Sequence, residues 1–597
     1  MNYDKQEKKN LIAQWAFDTK TILGRFHLWL KDIEVEWIRG KASREFTNEI
    51  SFLNGRLERL FAVTGAVTAL GTRLFGGYGE GRGLDKGGFN QVKKNADAVS
   101  AYAMSESLWF LSRQLPENHA IMVCVGEGLM PKAGETPEMG SNPLLGFGRV
   151  YARPEIARWI DDKVNRLLNQ KDYRWADFYR DLKDQGITLW GAAIDTLENT
   201  SRFAKGEATG PMCVLHVFDQ PLVISKPYEG YIGNIVIPAE VARAAARESV
   251  LINFNTPRAL ILKSIRQAYP GVEKSHIHVW TLRGKSREKR LSSLWTTWEN
   301  LGVHLVEDDW ETPFRINAFT ESGTYAPTFC VRAWTDDRNR PHVFIIDGYA
   351  ASAEALQAAS LARVLDVRAF LSVFTSTFKL SYIQEMEIMR LDPESENFPA
   401  RLRQIIGETL EEEKVEEYRR MIDEARSAGV PLEKSSIDIE DFLPEKSWNI
   451  LAVCGFMNDD PYSGIRGVEK LDDHSYRVSV RLSSAKGEKK ITFVLKLMET
   501  LDQSRLVFSP LLSRFMAGED YSQRPVKISD SGRIRNELQT ICSTALEFHR
   551  DERITIDFSR LAPEVIDPEN QEKLKKILQW YKEHHPLWFS WLTIQNS

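Results

Sequence analysis

Residues 250–307 read VLINFNTPRALILKSIRQAYPGVEKSHIHVWTLRGKSREKRLSSLWTTWENLGVHLVE. Three apolar segments, at 250–254, 276–282 and 303–306, are short enough to be strands, and the two segments between them have amphipathic helical spacing. Pro257 stands at the first position of the first helix, where its fixed φ suits a helix and its missing N–H costs nothing. The stretch therefore predicts a βαβαβ unit.

The same alternation extends to both sides of this unit. Apolar segments at 119–125, 212–218 and 342–346 predict further strands, and the segments 154–168, 175–204 and 351–364 predict helices. Strands that are apolar on both faces are typical of a parallel sheet covered by helices on both sides. We expect an α/β core domain over residues 118–375, built on a central parallel doubly wound sheet.

The rest of the chain predicts three further units, as expected for 597 residues, because a single core stops growing near roughly 250–300 residues. Residues 1–117 form an N-terminal helical region with a Gly-rich loop, and 376–446 a charged helical arm and linker. Residues 447–597 form a C-terminal α+β module. Its clearest element is a hairpin of 476–482 and 491–497.

Composition excludes several classes of protein. A net charge of −5 lacks the basic excess that nucleic-acid binding usually requires, so we expect no nucleic-acid partner. The five cysteines are odd in number and form no CxxC pair, which favours a reducing compartment over a disulfide scaffold or a zinc ribbon. No apolar run approaches the 18 or so residues that span a bilayer, so we expect a cytoplasmic protein without a membrane partner.

Candidate catalytic residues follow from the ends of the predicted strands. In open α/β sheets, ligands bind outside the carboxyl ends of the strands. Glu127 follows the first strand, His216 lies near the end of the second, and Asp347 ends the last. A carboxylate or an imidazole held there is suited to acid–base chemistry. The alternative is that strand ends are polar simply because loops begin there.

Two of these ends suit an anion. The segment Arg283-Gly-Lys285-Ser286-Arg287 leaves a strand and starts a helix, where free N–H groups and the helix dipole favour phosphate or carboxylate. The small-residue turn before Ser352 would let a phosphate approach closely. The alternatives are an exposed basic helix start for the first and helix packing against the sheet for the second. Neither segment is a Walker A loop.

Two further basic residues are candidates for substrate binding. Arg82 lies in the glycine-rich segment 76–88, which is either a mobile loop over a substrate or a flexible connector. Its glycines fail the GxGxxG spacing and follow a helix, so a dinucleotide fingerprint is not supported. Lys132 follows the first predicted strand.

A divalent metal is a further hypothesis. His276 and His278 alternate along one strand, and Glu307 and Asp309 alternate along the neighbouring one, so the four could hold Mg²⁺ or Mn²⁺. The favoured interpretation is structural, with His276 preceding the strand and the acids capping the next loop.

Together these patterns predict an enzyme that acts on a small anionic metabolite, a sugar phosphate or a nucleotide, as an isomerase, lyase or transferase. The missing dinucleotide fingerprint argues against redox chemistry. The alternative is a non-catalytic ligand-binding regulator or a structural subunit of a homo-oligomer, which the charged segment 408–428 and the aromatic C-terminus favour.

Overall fold

The computed structural model of the chain describes residues 4–40, 56–126, 145–170, 172–223, 231–254, 256–312, 317–376, 384, 387–388, 390–407, 409–427, 436–460, 462–498, 512, 520–523, 525–563 and 566–595. Among these residues, no helix has both the length and the apolar character needed to cross a bilayer.

Sixteen α-helices are numbered here in chain order. They are α1 Lys5–Arg25, α2 Arg56–Phe75, α3 Lys86–Ser112, α4 Pro154–Asn169, α5 Trp175–Asp184, α6 Thr200–Lys205, α7 Ala239–Arg247, α8 Arg258–Ala268, α9 Glu288–Leu301, α10 Tyr325–Thr328, α11 Ser352–Ser360, α12 Ala362–Leu365, α13 Phe398–Ile406, α14 Glu412–Ser427, α15 Ile528–Ile541 and α16 Pro568–His584.

Nineteen β-strands are numbered in the same way. They are β1 Leu28–Gly40, β2 His119–Gly126, β3 Val150–Tyr151, β4 Thr188–Glu198, β5 Met212–Phe218, β6 Tyr231–Pro238, β7 Ile277–Trp280, β8 His304–Leu305, β9 Arg332–Thr335, β10 Pro341–Ala351, β11 Val367–Ser376, β12 Ser436–Ile437, β13 Ile450–Phe456, β14 Glu469–Lys470, β15 Ser475–Ser484, β16 Gly487–Leu497, β17 Leu546–Phe548, β18 Ile554–Asp557 and β19 Leu592–Gln595.

The strands form three sheets. The first has nine strands in the order β1-β16-β15-β13-β5-β4-β2-β3, with β14 beside β15. The second has seven strands in the order β12-β11-β6-β10-β7-β8, with β9 beside β10. A third sheet, β17-β18-β19, belongs to the C-terminal part of the chain.

The first sheet is buried on both faces. Along β2, Ile121 and Val123 pack into a core shared with α1, α2 and α3, whereas Ala120, Met122 and Cys124 pack into a second core. That second core also contains the inner face of the second sheet and the alanine-rich helix α11, which contacts β4, β6, β10 and β11. Helix α11 therefore lies between the two sheets.

The outer face of the second sheet is covered by helices. Ile261 and Ile265 of α8 and Leu291, Leu294 and Trp298 of α9 are buried in the same core as the strands. The arrangement places the loop that follows β7, and the beginning of α9, at the carboxyl end of the parallel pair β7 and β10.

The fold is α/β, but both large sheets are mixed. The described strands do not form the single central parallel sheet that the sequence predicted. Among the described pairs in the first sheet only β2 and β4 run parallel, and in the second only β7 runs parallel to β10 and to β8. The physical reason is that an apolar pattern reports burial of both faces, not strand direction. Antiparallel strands covered on both sides are equally apolar.

Three local predictions were wrong. Residues 28–40 form β1 and not a helix, with Leu28 and Leu30 buried and Trp29 exposed, and Thr188–Glu198 form β4 inside the predicted helix 175–204. Residues 250–254 form no strand: the N–H of Asn253 is bonded to the Thr256 hydroxyl and not to a neighbouring strand. Side-chain capping thus replaces the first strand of the predicted βαβαβ unit.

The C-terminal hairpin was predicted correctly. β15 and β16 pair antiparallel from Ser475 opposite Lys496 to Ser484 opposite Gly487, so the strands extend further into the predicted connection than expected. The first sheet takes strands from the predicted segments 1–117, 118–375 and 447–597. The division of the chain into four domains stays a prediction.

Candidate functional site

The segment 283–287 forms a sharp turn between β7 and α9. Gly284 has φ +118° and ψ 152°, a conformation that only glycine adopts without strain, and a 3₁₀ turn at Lys285–Arg287 leads directly into α9. The backbone N–H of Arg283 donates to the carbonyl of Thr320 at 2.6 Å, which ties this turn to the loop before α10.

The cationic side chains of this turn are free of acidic partners. Among the described residues, no carboxylate lies within 4.0 Å of Arg283, Lys285 or Arg287. The Arg283 guanidinium lies 5.4 Å from the ring of Trp295, and Arg287 donates weakly to the Arg283 carbonyl at 3.4 Å. Three cationic side chains without a carboxylate at ion-pair distance therefore lie at the start of α9, near the positive end of its dipole.

Charged groups of both signs lie against Gly284. A Cβ built on Gly284 would lie 3.0 Å from the Glu321 carboxylate and 3.3 Å from the Arg287 guanidinium. Glu321 is exposed. Since even a Cβ would be crowded by these two groups, position 284 requires glycine for its fit as well as for its φ.

A row of polar groups crosses the second sheet next to this turn. Asn234 of β6 pairs with Gly348 of β10, and Thr281, which follows β7, lies on the other side of Gly348. Both side chains are fully buried, and within the described chain the Asn234 Oδ1 and Thr281 Oγ1 atoms have no hydrogen-bond partner. The Asn234 amide N–H donates to Thr324 Oγ1 at 2.9 Å. Buried polar atoms are rarely left unsatisfied without a reason.

His216 is fully buried between the two sheets. Its Nδ1 lies 2.8 Å from the Ser360 hydroxyl of α11, and its Nε2 lies 3.1 Å from the Tyr325 hydroxyl of α10. Burial lowers the pKa of His216 to about 3. The imidazole is therefore neutral and has both nitrogens occupied, so this geometry gives the predicted catalytic role no support.

Asp347 forms a buried ion pair. Its carboxylate accepts from Arg258 Nε at 2.7 Å, from Arg258 Nη2 at 2.8 Å and from Trp298 Nε1 at 2.7 Å. No part of the Asp347 side chain is exposed. Because both oxygens are engaged, Asp347 holds α8 and α9 against the sheet and has no oxygen free to accept a substrate proton in this arrangement.

The glycine-rich loop is packed against α6. The N–H groups of Gly79 and Gly81 donate to the carbonyls of Phe203 and Ala204, and Arg82 donates to the carbonyls of Lys205 and Gly206. Arg82 thus caps the C-terminal end of α6. This contact favours the connector interpretation over a substrate-binding loop.

Four predicted site residues have no described side chain. Glu127 and Lys132 lie outside the described residues, while Ser286 and Ser352 lie within described elements whose side chains at these positions are not described. Ser352 is the first residue of α11, and Ser286 is the middle residue of the turn before α9.

A second polar group, which we call the histidine chain, consists of Glu307, His304, His278, His342 and Asp336. Successive members are joined at 2.8 Å (Glu307 Oε2 to His304 Nε2), 2.7 Å (His304 Nδ1 to His278 Nδ1), 2.9 Å (His278 Nε2 to His342 Nδ1) and 3.3 Å (His342 Nε2 to Asp336 Oδ2). His278, at the centre, is 5% exposed.

Aromatic rings enclose the centre of the histidine chain. His278 lies 4.5 Å from the ring of Trp310 and 5.4 Å from that of Trp334, and His276 stacks on His342 at 4.2 Å. Burial, with a smaller contribution from the neighbouring imidazoles, lowers the pKa of His278 to about 2. Burial also lowers the pKa of His342, although Asp336 opposes that shift.

The geometry gives the metal hypothesis no support. Within the described part of the chain, no group of three or more histidine, cysteine, aspartate or glutamate side chains could hold a metal ion. Both nitrogens of His278 are bonded to other imidazoles on opposite edges of its ring, and Glu307 contacts His304 and not His276 or His278. The Asp309 N–H donates to the Ala318 carbonyl. We therefore do not identify His276, His278, Glu307 or Asp309 as metal ligands.

Sequence reasoning missed His304, His342 and Asp336. His342 is the second residue of β10 and His304 the first of β8, and both strands neighbour β7. Once the strand order is known, three histidines on adjacent strands indicate the cluster. Asp336 belongs to the β9–β10 turn, where no pattern in the sequence points to a histidine partner.

Two surface pockets lie away from these groups. One, of about 310 Å³, is lined by residues 259–271. The other, of about 330 Å³, lies between α7, the end of α11 and β11, where Arg363 and Arg368 face Glu440 and Asp438. Neither pocket includes a predicted site residue.

No protein-family model matches this chain, and no curated protein sequence matches it.

Proposed function

We propose that the protein binds a small anionic metabolite, a sugar phosphate or a nucleotide, at the turn 283–287. The observation that carries the proposal is the set of three cations, Arg283, Lys285 and Arg287, at the start of α9 without an acidic partner within 4.0 Å among the described residues. Three cationic side chains within five residues attract an anion, and a helix N-terminus favours negative charge.

The groups around Gly284 support the same location. Arg287 and Glu321 both lie against Gly284, so a ligand held at the turn would meet a cation and a carboxylate. Thr281 Oγ1 and Asn234 Oδ1 have no hydrogen-bond partner in the described chain, but both side chains are fully buried and are not assigned a contact with the ligand.

We propose further that the metabolite is transformed by isomerase, lyase or transferase chemistry, with Glu321 as the acid–base group. Glu321 is exposed and lies against Gly284, as does Arg287. His216 and Asp347, by contrast, are buried, and their polar atoms already form hydrogen bonds. A carboxylate placed beside a bound anion can accept or donate a proton, as general acid–base catalysis requires.

The burial of His216 and Asp347 also favours a second candidate function, a non-catalytic regulator that binds the same metabolite. The two candidates share the binding site and differ in turnover. A Glu321→Gln variant separates them: it abolishes turnover in the enzyme and leaves binding intact in both.

The test is a thermal-shift screen against inorganic phosphate, pyrophosphate, sugar phosphates and nucleotides. A ligand at a hundred times its dissociation constant stabilises the protein by about 2.7 kcal/mol, which shifts the melting temperature measurably. The variant Arg283→Ala/Lys285→Ala should lose that shift. A matched control is Lys5→Ala/Lys9→Ala, which removes the same charge from exposed positions of α1 and should keep the shift.

Equal ligand-induced shifts in the wild type and in the Arg283→Ala/Lys285→Ala variant would refute the proposed site. No shift with any phosphorylated compound would refute the proposed ligand class.

A further inference from the structure

The imidazoles of the histidine chain can bind more protons than the hydrogen bonds between them can accommodate. Four hydrogen-bonded gaps separate its three imidazoles and two carboxylates, and each gap accommodates one proton. The closed chain therefore holds at most four imidazole protons. Three free imidazoles carry three protons when neutral and six when fully protonated.

This limit on bound protons determines how the histidine chain responds when the pH falls. Free imidazoles become protonated below a pH of about 6.5. A fifth proton in the closed chain would place two N–H groups against each other in a gap of 2.7 or 2.9 Å. The chain must therefore break at one of these gaps before it can take up more than four protons.

Breaking the chain would free one edge of the second sheet. His278 belongs to β7, His304 to the two-residue edge strand β8, and His342 to β10, whose hairpin with β9 is closed by Asp336. The pairing of β8 with β7 is limited to His278 with His304 and Val279 with Leu305. The side-chain bonds through His278 add to the bond from the Val306 N–H to the Val279 carbonyl and to the burial of Leu305 and Val306, which also hold this edge.

We propose that the histidine chain is an acid-sensitive latch, which fastens β8 and the β9–β10 turn to β7 at neutral pH and releases them when the pH falls, while β10 stays paired with β6 and β7 beyond His342. Release takes up two protons, the difference between six and four. This inference is independent of the proposed anion site, which lies at the opposite end of β7.

The other charged and titratable groups that face the latch are His276, Arg340 and Glu307. His276 stacks on the His342 ring. Arg340 pairs with Asp336 at 2.7 Å, which holds the pKa of that carboxyl well below its usual range. Glu307 is 60% exposed and lies at the other end of the chain.

The test is amide hydrogen exchange of the full-length protein, read by mass spectrometry on peptides covering 304–310 and 332–342 and corrected for the intrinsic effect of pH. Uptake of two protons predicts that the opening constant of these segments rises by a factor approaching about 100 per pH unit below about pH 6. Peptides from α2 and α3 serve as internal references, because these helices pack in the other large hydrophobic core.

Two variants change the number of protons taken up on opening and should therefore change the slope of the opening constant with pH. His304→Gln leaves two imidazoles and three gaps, so one proton is taken up on opening and the slope should fall to about 10-fold per pH unit. His278→Phe keeps a ring between Trp310 and Trp334 and divides the chain into two carboxylate–imidazole pairs. Both remaining imidazoles can then be fully protonated in place, so the pH dependence should disappear.

The variant His584→Gln, on α16, is the control and should retain the wild-type slope. If His278→Phe fails to fold, the comparison of His304→Gln with the wild type decides. The proposal is overturned if these segments show no pH dependence in the wild type, or if His304→Gln keeps the full slope. It is also overturned if protection of the segments requires added Zn²⁺ and is lost with EDTA.

Discussion

Replacing Asp347 with asparagine is expected to destabilise the packing of α8 and α9 on the second sheet. The substitution keeps the size of the side chain but removes the negative charge opposite Arg258, whose side chain is 1% exposed. Breaking a buried pair by removing one partner costs about 3–5 kcal/mol, because the remaining charge is left uncompensated. At roughly 2–4 °C per kcal/mol, the melting temperature should fall by roughly 6–20 °C.

The assay is thermal unfolding followed by calorimetry, with two comparison variants. Arg258→Met/Asp347→Leu removes both charges and should recover much of the loss, because apolar replacements of a buried pair are often neutral. Glu248→Gln breaks the exposed contact with Lys263 and should leave the transition unchanged. A melting temperature for Asp347→Asn equal to that of the wild type would refute the structural interpretation, and loss of turnover in that stable variant would restore Asp347 as a catalytic candidate.

Three further predictions follow from packing and burial. Gly455→Ala should be strongly destabilising, because its Cβ would lie 2.3 Å from the backbone oxygen of Gly65, whereas Gly532→Ala meets no atom within 4 Å and should be tolerated; urea unfolding compares the two, and equal stability would contradict the packing. The pKa of His216 is lowered to about 3 in the folded protein, so the unfolded chain binds the extra proton first as pH falls below about 6.5. Stability should therefore decline towards pH 3 by up to about 1.4 kcal/mol per pH unit from this residue, and His216→Gln should remove that contribution to the pH dependence of unfolding, with an unchanged slope speaking against it. All five cysteines are buried and free, and the thiols whose pKa is raised are raised by burial, so the native protein should not react with Ellman's reagent until it unfolds; rapid labelling would contradict the fold.

The periodicity of apolar residues predicted those strands in which apolar residues alternate with polar ones or form an apolar run. β15 alternates apolar and polar residues from Tyr476 to Leu482, and β2 and β5 are mostly apolar, so these strands were found from sequence. β1 was missed because Phe26 and Leu30 mimic helical spacing, and the strand becomes evident only where Leu28 and Leu30 point inward together. Strand direction was not readable, since burial on both faces gives the same pattern for parallel and antiparallel neighbours.

Residues of the candidate sites were predicted where local chemistry sufficed. Arg283, Lys285 and Arg287 lie at a helix start, as the sequence indicated, because glycine and a following amphipathic helix are local signals. The partners of Asp347 were not predictable, because Arg258 is far away in sequence and meets it only through the packing of α8. The same holds for the histidine chain, which assembles across β7, β8 and β10.

The most direct test of the proposed function is an isothermal titration of the wild type and of Arg283→Ala/Lys285→Ala with the phosphorylated compound that gives the largest thermal shift. Loss of two charge-assisted hydrogen bonds, at about 1.5–3 kcal/mol each, predicts binding at least about 100-fold weaker in the variant. Equal dissociation constants in the two proteins would contradict the assignment of the anion site to the start of α9.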